Sequence, residues 1–380
     1  MVTTNPVRIL DTEDLIHLER ALTILAEIAE RTAEWLGVQF HKVAVTEQVL
    51  ADNFEDATWH CEHTVPDLNY VGKFVLSELP RKHGVKVVLT GEGADEHFAG
   101  YSILRPDSLA EPDLSRPDDA LTNDERLSLL FEAKKSATSV FQTIKHQAEE
   151  HVDIHRKFAR QQLNNVTTLA AIAQNPLKYF SPWTSGYGDC DYEETIIRRH
   201  NGVVRSLMQN SWHPLHTAQY IWIKGNMANS VLTSLGDRGE MAHSLEARTP
   251  FLDHHLTEYA NNLPPSVKIR WDASERRCTE KWILREAIKP FITQELYERQ
   301  KKQYMAPSSW PVGGPLHKLF SRLVTEENIR ALGFIEWDLV KNYVPKAFEQ
   351  GDAASFRLAL VVAQTVLLGK KFSVKQAGPS

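Results

Sequence analysis

Apolar side chains recur every three or four positions through residues 12–36, at Leu15, Leu18, Leu22, Leu25, Ile28 and Ala29, before Gly37. That period predicts an amphipathic helix with a glycine stop. Phe40 to Val45 alternates as a short strand, and residues 69–83 return to the helical period ahead of Gly84. Val85 to Leu89 is a short, valine-rich apolar run, which predicts a buried strand. Strand, helix and strand in that order predict a β-α-β unit and a parallel sheet. Residues 105–117 are rich in proline and aspartate and read as loop, and residues 123–175 carry long, charged helical patterns. Ser181 to Asp191 is a second irregular stretch, and helical spacing resumes near residue 203. Gly313-Gly314-Pro315 marks a late loop, and Phe356 to Leu368 predicts a buried helix ending near Gly369. A chain of this length fits one large α/β domain or two smaller ones.

The predicted strand ending at Leu89 runs into Thr90-Gly91-Glu92-Gly93-Ala94-Asp95-Glu96, where three carboxylates fall within five residues. Open α/β sheets bind ligands at the carboxyl ends of their strands. Gly91 and Gly93 permit positive backbone angles or close approach by a ligand. Asp95 and Glu96 are hard oxygen donors of the kind a magnesium ion takes. A polar surface turn has the same spacing, so these residues by themselves leave both readings open.

The stretch resembles the S-G-E-G-A-D-E-x-F-x-G-Y signature of the asparagine synthetase family, with Thr90 for serine and Ala99 for a usual glycine. Three further stretches resemble the family's later motifs in order and spacing. They are Asp237 to Asp253 (D-R-x-x-M-A-x-S-L-E-x-R-x-P-F-L-D), Lys281 to Ala287 (K-x-x-L-R-E-A) and Arg299 to Tyr304 (R-x-K-x-Q-F). The resemblance covers roughly residues 25–310, the family's synthetase domain. It implies one domain over residues 1–375, with an α/β portion (1–101), a helical insertion (102–200) and a mainly helical remainder (201–375). It also implies a doubly wound, mainly parallel α/β sheet of the adenine nucleotide alpha-hydrolase type, with extensive extra helices. The family's S-G-G-x-D-S string, which grips pyrophosphate through backbone amides, occurs nowhere in this sequence. The expected sheet is therefore one whose first strand and phosphate loop are truncated.

The resemblance also implies chemistry. In the family, ATP activates a carboxylate by adenylation, and ammonia then attacks to form an amide. Glu92 matches the glutamate that deprotonates the nitrogen nucleophile, and Lys301 the lysine that stabilises the negative transition state. Asp95 matches the aspartate that helps hold Mg²⁺ on pyrophosphate. Thr90, Gly91, Gly93, Asp237 and Arg238 match positions around the nucleotide and substrate. ATP and Mg²⁺ are thus the implied cofactors. The implied partners are a small carboxylic acid, aspartate by default, with ammonia or a separate glutaminase. The family's glutaminase half carries a cysteine after the initiator methionine, whereas this chain opens Met1-Val2-Thr3, so glutamine hydrolysis is not expected. Two functions stay open: an amide-forming ligase, in primary asparagine biosynthesis or a specialised pathway, and a catalytically impaired relative that binds a partner.

Structural roles compete at several positions. Glu246 and Arg248 are expected to form an internal ion pair, and Asp253 to cap a helix starting at His254. Lys302 is an alternative to Lys301. Phe251 and Leu252 read as core. With 380 residues, 42% of them apolar, the chain can bury a normal core. Its net charge of −6 argues against nucleic acid as a partner. No apolar run reaches the ~20 residues of a membrane span, so no membrane partner is expected. The cysteines, Cys61, Cys190 and Cys278, are few and scattered, which points to reduced thiols and a cytoplasmic setting. His60-Cys61-Glu62-His63 lacks the further pair of ligands a zinc site needs.

Overall fold

The computed structural model describes residues 7–10, 18–115, 121–144, 166, 179–187, 199–272, 277–299 and 306–379. The order begins β1 (Val7–Leu10), α1 (Leu18–Leu36), β2 (His41–Ala44), α2 (Glu47–Cys61), α3 (Asn69–Lys82), β3 (Val87–Leu89) and α4 (Ala94–His97). It continues α5 (Arg105–Leu109), α6 (Asn123–Ile144), α7 (Gly202–Asn210) and α8 (Pro214–Trp222), which runs on into a π-helical stretch, Ile223–Arg238. Then come β4 (Glu246–Arg248), α9 (His254–Asn261), α10 (Pro265–Lys268), β5 (Ile269–Asp272), β6 (Arg277–Glu280), α11 (Trp282–Ile288) and α12 (Gln294–Glu298). The chain closes with α13 (Pro315–Leu323), α14 (Glu326–Leu332), α15 (Trp337–Val340), α16 (Tyr343–Glu349) and α17 (Ala353–Lys371).

The fold is α/β and rich in helix. Among the described residues the strands pair only in twos: β1 with β2 and β3 with β4, both parallel, and β5 with β6, antiparallel. One doubly wound sheet, as the resemblance implied, is not present among these strands. The β-α-β unit lies one step earlier than the pattern suggested. β2 takes β1 as its parallel neighbour across α1, and β3 takes β4, from far along the chain. β3 is shorter than the apolar run Val85 to Leu89 and is not buried: Val87 and Leu89 are 46% and 57% exposed. They share one face, by the two-residue period of a strand. An apolar run was read as a strand covered on both sides, and here one face lies open.

The main core is helical. Thr46 caps α2 by accepting from the Val49 amide, and Leu50, Phe54, Ala57 and Cys61 recur at helical spacing on its buried face. They meet Val71, Phe74 and Val75 of α3, Leu316, Leu319 and Phe320 of α13, and the apolar side of α17. α17 has the length and composition of a membrane span, yet Phe356, Ala359, Leu360, Val362, Ala363, Val366 and Leu367 are buried in this core. The helix passes through Gly369 to Lys371, so the glycine does not end it as expected. Gln364 in the same helix is fully buried and grips the backbone of Val65, accepting from its amide at 2.6 Å and donating to its carbonyl at 2.8 Å. A second cluster joins Ala99, Ile103, Leu104, Met208, Leu215, Ala218, Ile221 and Ile269. It backs the turn that follows β3. About half of residues 102–200 lies outside the described residues.

Candidate active site

β3 and β4 run parallel in the register Val87↔Glu246 to Leu89↔Arg248. The Thr90 amide extends the ladder by donating to the Arg248 carbonyl at 2.8 Å. Both strands therefore end at one edge. Beyond it, Gly93 turns the chain with φ of 98° and caps α4. A β-carbon at Gly93 would stand 2.6 Å from Leu252 Cδ2, so the turn needs glycine both for its angle and for its packing. Gly91 has neither constraint: a β-carbon there would meet nothing within 4 Å. The Glu96 side chain closes the cap, accepting from the Gly93 amide at 3.0 Å and from the Tyr101 hydroxyl at 2.7 Å. Burial raises the Glu96 pKa. This carboxylate is structural, so the turn presents Glu92 and Asp95.

Glu92 meets a cation. Lys73 of α3 places Nζ 2.6 Å from Glu92 Oε1 and 3.0 Å from Glu240 Oε1. Desolvation pushes the Glu92 pKa up, but the charge and hydrogen bond of Lys73 outweigh it and bring the pKa below the ordinary value. Glu240 is raised, by burial first, with Glu92 as a repelling neighbour. One ammonium thus serves two carboxylates and keeps Glu92 ionised. Glu92 Oε2 and Thr90 Oγ1 are both buried, and the Thr90 hydroxyl joins Lys73 in lowering the Glu92 pKa.

Asp95 meets a second cation. Lys281 Nζ lies 2.9 Å from Asp95 Oδ1, with both side chains mostly buried. Lys281 stands at the N-terminus of α11 with a left-handed φ of 54°, a strained backbone for a lysine. The β5–β6 hairpin delivers it, and Arg105 ion-pairs with its neighbour Glu280. Gly100 lines the pair closely: a β-carbon there would stand 1.9 Å from Asp95 Oδ1. A cavity of about 720 Å³ opens beside this hairpin, lined by Arg105, Arg270, Trp271, Glu280, Trp282 and Arg285 among others.

Thr90, Gly91, Glu92, Gly93 and Asp95 thus lie on one turn. Arg238 points to the end of α2, donating to the Cys61 carbonyl at 3.1 Å and pairing with Glu62 at 2.6 Å, and Asp237 is exposed. Lys301 and Lys302 lie outside the described residues. Glu246 and Arg248 form the expected ion pair, at 2.5 Å on the surface, and Asp253 caps α9 through the His255 and Leu256 amides. No group of three or more histidine, cysteine or acidic side chains poised for a metal exists among the described residues. Lys73, Glu240 and Lys281 were not among the assigned site residues. Glu240 and Lys281 stand inside the quoted motifs, which was the available signal. Lys73 had none beyond its place on α3.

This strand-turn-helix bearing Glu92 and Asp95, set against a Lys281 motif, defines the class. The Asparagine synthase family profile matches residues 26–368, and the chain belongs to that family. It is 44% identical over 352 residues to a protein named Amidase chyE from Penicillium rubens, covering 92% of this chain and 51% of that one. It is 42% identical over 350 residues to Amidase chry2 from Gibberella zeae, with the same coverage. A putative asparagine synthetase [glutamine-hydrolyzing] of Mycobacterium tuberculosis is 29% identical over 294 residues, covering 74% of this chain and 39% of the relative. The chain spans about half the length of the two curated fungal relatives.

Proposed function

We propose that this chain carries an ATP-dependent, amide-forming ligase centre for a small carboxylic acid, with ammonia or an amine as nucleophile. The observation that carries the reading is Glu92. It sits on the turn at the end of β3 and is kept ionised by Lys73, with the Thr90 hydroxyl beside it. An ionised carboxylate in that place is suited to take a proton from an attacking nitrogen. Family membership and relatives named for asparagine synthesis and amide chemistry support it. Burial pushes Cys61 up to about 12 and raises Cys278, so neither is a primed nucleophile.

Asp95 suits the implied Mg²⁺. Mg²⁺ is commonly held by one or two carboxylates together with phosphate oxygens and water, and Asp95 is a carboxylate of that kind. ATP would supply the leaving group that activates the acid. Lys281 holds the orientation of Asp95 while adding positive charge beside it. An acid other than aspartate accords with the two fungal relatives, which are named amidases and not asparagine synthetases. The test is pyrophosphate release from ATP with ammonium and a panel of small carboxylic acids, aspartate included. Glu92→Gln should lower kcat by about 10²- to 10⁴-fold with little change in KM for ATP. Equal turnover by the variant would overturn the assignment.

A further inference from the structure

The turn that presents Glu92 is fastened from behind by buried polar side chains that the chemistry above does not use. Gln219 of α8, 4% exposed, donates Nε2 to the Glu96 carbonyl at 2.5 Å and to the His97 carbonyl at 3.0 Å. Its Oε1 accepts from Lys268 Nζ at 3.0 Å, and Lys268 is 1% exposed. No carboxylate pairs with Lys268 among the described residues.

An amide side chain can exchange its oxygen and its NH₂ by a half-turn, but these surroundings accept one orientation only. Two backbone carbonyls stand on one side and can only accept. The Lys268 amino group stands on the other and donates to Oε1. The reversed amide would set oxygen against two carbonyl oxygens and lose the bond from Lys268. Lys268 therefore selects the orientation of Gln219, and Gln219 grips the backbone of α4. That helix has four residues, too few to hold itself. The two gripped carbonyls follow Asp95 directly, and the Glu96 side chain links the same segment to the Gly93 amide.

We propose that Gln219, oriented by Lys268, is a positioning residue for the Glu92–Asp95 turn, setting where the two carboxylates address the substrates. The catalytic half of this proposal rests on the function proposed above. The mechanical half, that Gln219 holds the turn, can be read without any activity. Gln219→Glu leaves Lys268 an acceptor and sets a carboxylate oxygen against the two carbonyls. Lys268→Met removes the group that orients the amide and serves if the first variant does not fold. In hydrogen exchange followed by mass spectrometry, peptides spanning residues 91–100 should exchange about tenfold faster or more, while those from α2 and α17 keep their protection. In the pyrophosphate assay, kcat per folded molecule should fall about tenfold or more, with KM for ATP and for the acid changed less than about threefold. A merely structural role would lower the melting temperature and leave kcat per folded molecule unchanged. Unchanged exchange in residues 91–100, or unchanged kcat per folded molecule, would overturn the proposal. Absence of pyrophosphate release from the wild type would instead sink the proposed function, and the exchange result would then decide the role of Gln219.

Discussion

Replacing Lys73 with methionine should destabilise the protein, and the deficit should grow as pH rises. The ammonium lies 2.6 Å from Glu92 and 3.0 Å from Glu240, with side-chain exposures of 21%, 21% and 7% respectively. At an effective dielectric constant of about 20 these attractions are roughly 6 and 5 kcal/mol before desolvation and carboxylate repulsion are subtracted. Removing one partner of a buried pair typically costs about 3–5 kcal/mol, because the charge left behind stays buried. Partial exposure relieves some of this, so we expect a loss of about 2–4 kcal/mol near neutral pH. The pH dependence has a definite sign. In the wild type, the lowered Glu92 pKa gives stability that is present above the unfolded value and is lost as pH falls through the folded one. Without Lys73 both carboxylates are desolvated beside each other, and their folded pKa values rise above the unfolded value. The folded variant then binds more protons than the unfolded chain in that window, and its stability falls as pH rises. The deficit at pH 8 should exceed that at pH 5 by about 1.4 kcal/mol per unit of upward shift. Urea unfolding at pH 5, 6.5 and 8 measures it. A loss under about 1 kcal/mol, or one that does not vary with pH, would refute the claim that Lys73 neutralises Glu92.

Three further outcomes are expected. Burial lowers the Lys268 pKa to about 7, so the unfolded chain binds more protons between about pH 7 and 10 and stability rises with pH there. Relative to Lys268→Met, the wild type should gain about 2–3 kcal/mol from pH 7 to 9 in paired denaturation curves. Gly100→Ala should cost about 1–3 kcal/mol in thermal melts and depress pyrophosphate release, because the new β-carbon would stand 1.9 Å from Asp95 Oδ1 and 2.9 Å from Lys281 Cε. Gln364→Leu should cost about 2–4 kcal/mol in urea melts, since it strands the buried amide and carbonyl of Val65 without partners.

The local parts of the fold were legible where periodicity and punctuation agree. α3 ends at Lys82, just ahead of Gly84, and α1 ends just before Gly37, whose φ is 67°. The turn at Gly93 was readable from its glycine. Sheet pairing was not, because hydrophobic pattern says that a segment is a strand and not which strand it meets. β3 finds β4 from more than 150 residues away, and β1, unread in the sequence, takes β2. The site divides in the same way. Glu92 and Asp95 stand in one motif on one turn. The cations that pair with them arrive from α3 and from the end of the β5–β6 hairpin, contacts made by the tertiary fold alone. Glu96 shows the converse. It was read as a metal ligand by type, but its oxygens are taken by the Gly93 amide and the Tyr101 hydroxyl.

Carboxylate activation at the Glu92–Asp95 turn is tested most directly by following oxygen. The acid from the panel that best supports pyrophosphate release is labelled with ¹⁸O in its carboxylate and incubated with the chain, ATP, Mg²⁺ and ammonium. The AMP formed is then analysed by mass spectrometry. One labelled oxygen in AMP for each amide made is the expected result, because the carboxylate oxygen that displaces pyrophosphate leaves with AMP when nitrogen attacks. Amide formed with unlabelled AMP, or an amide cleaved without consumption of ATP, would contradict it.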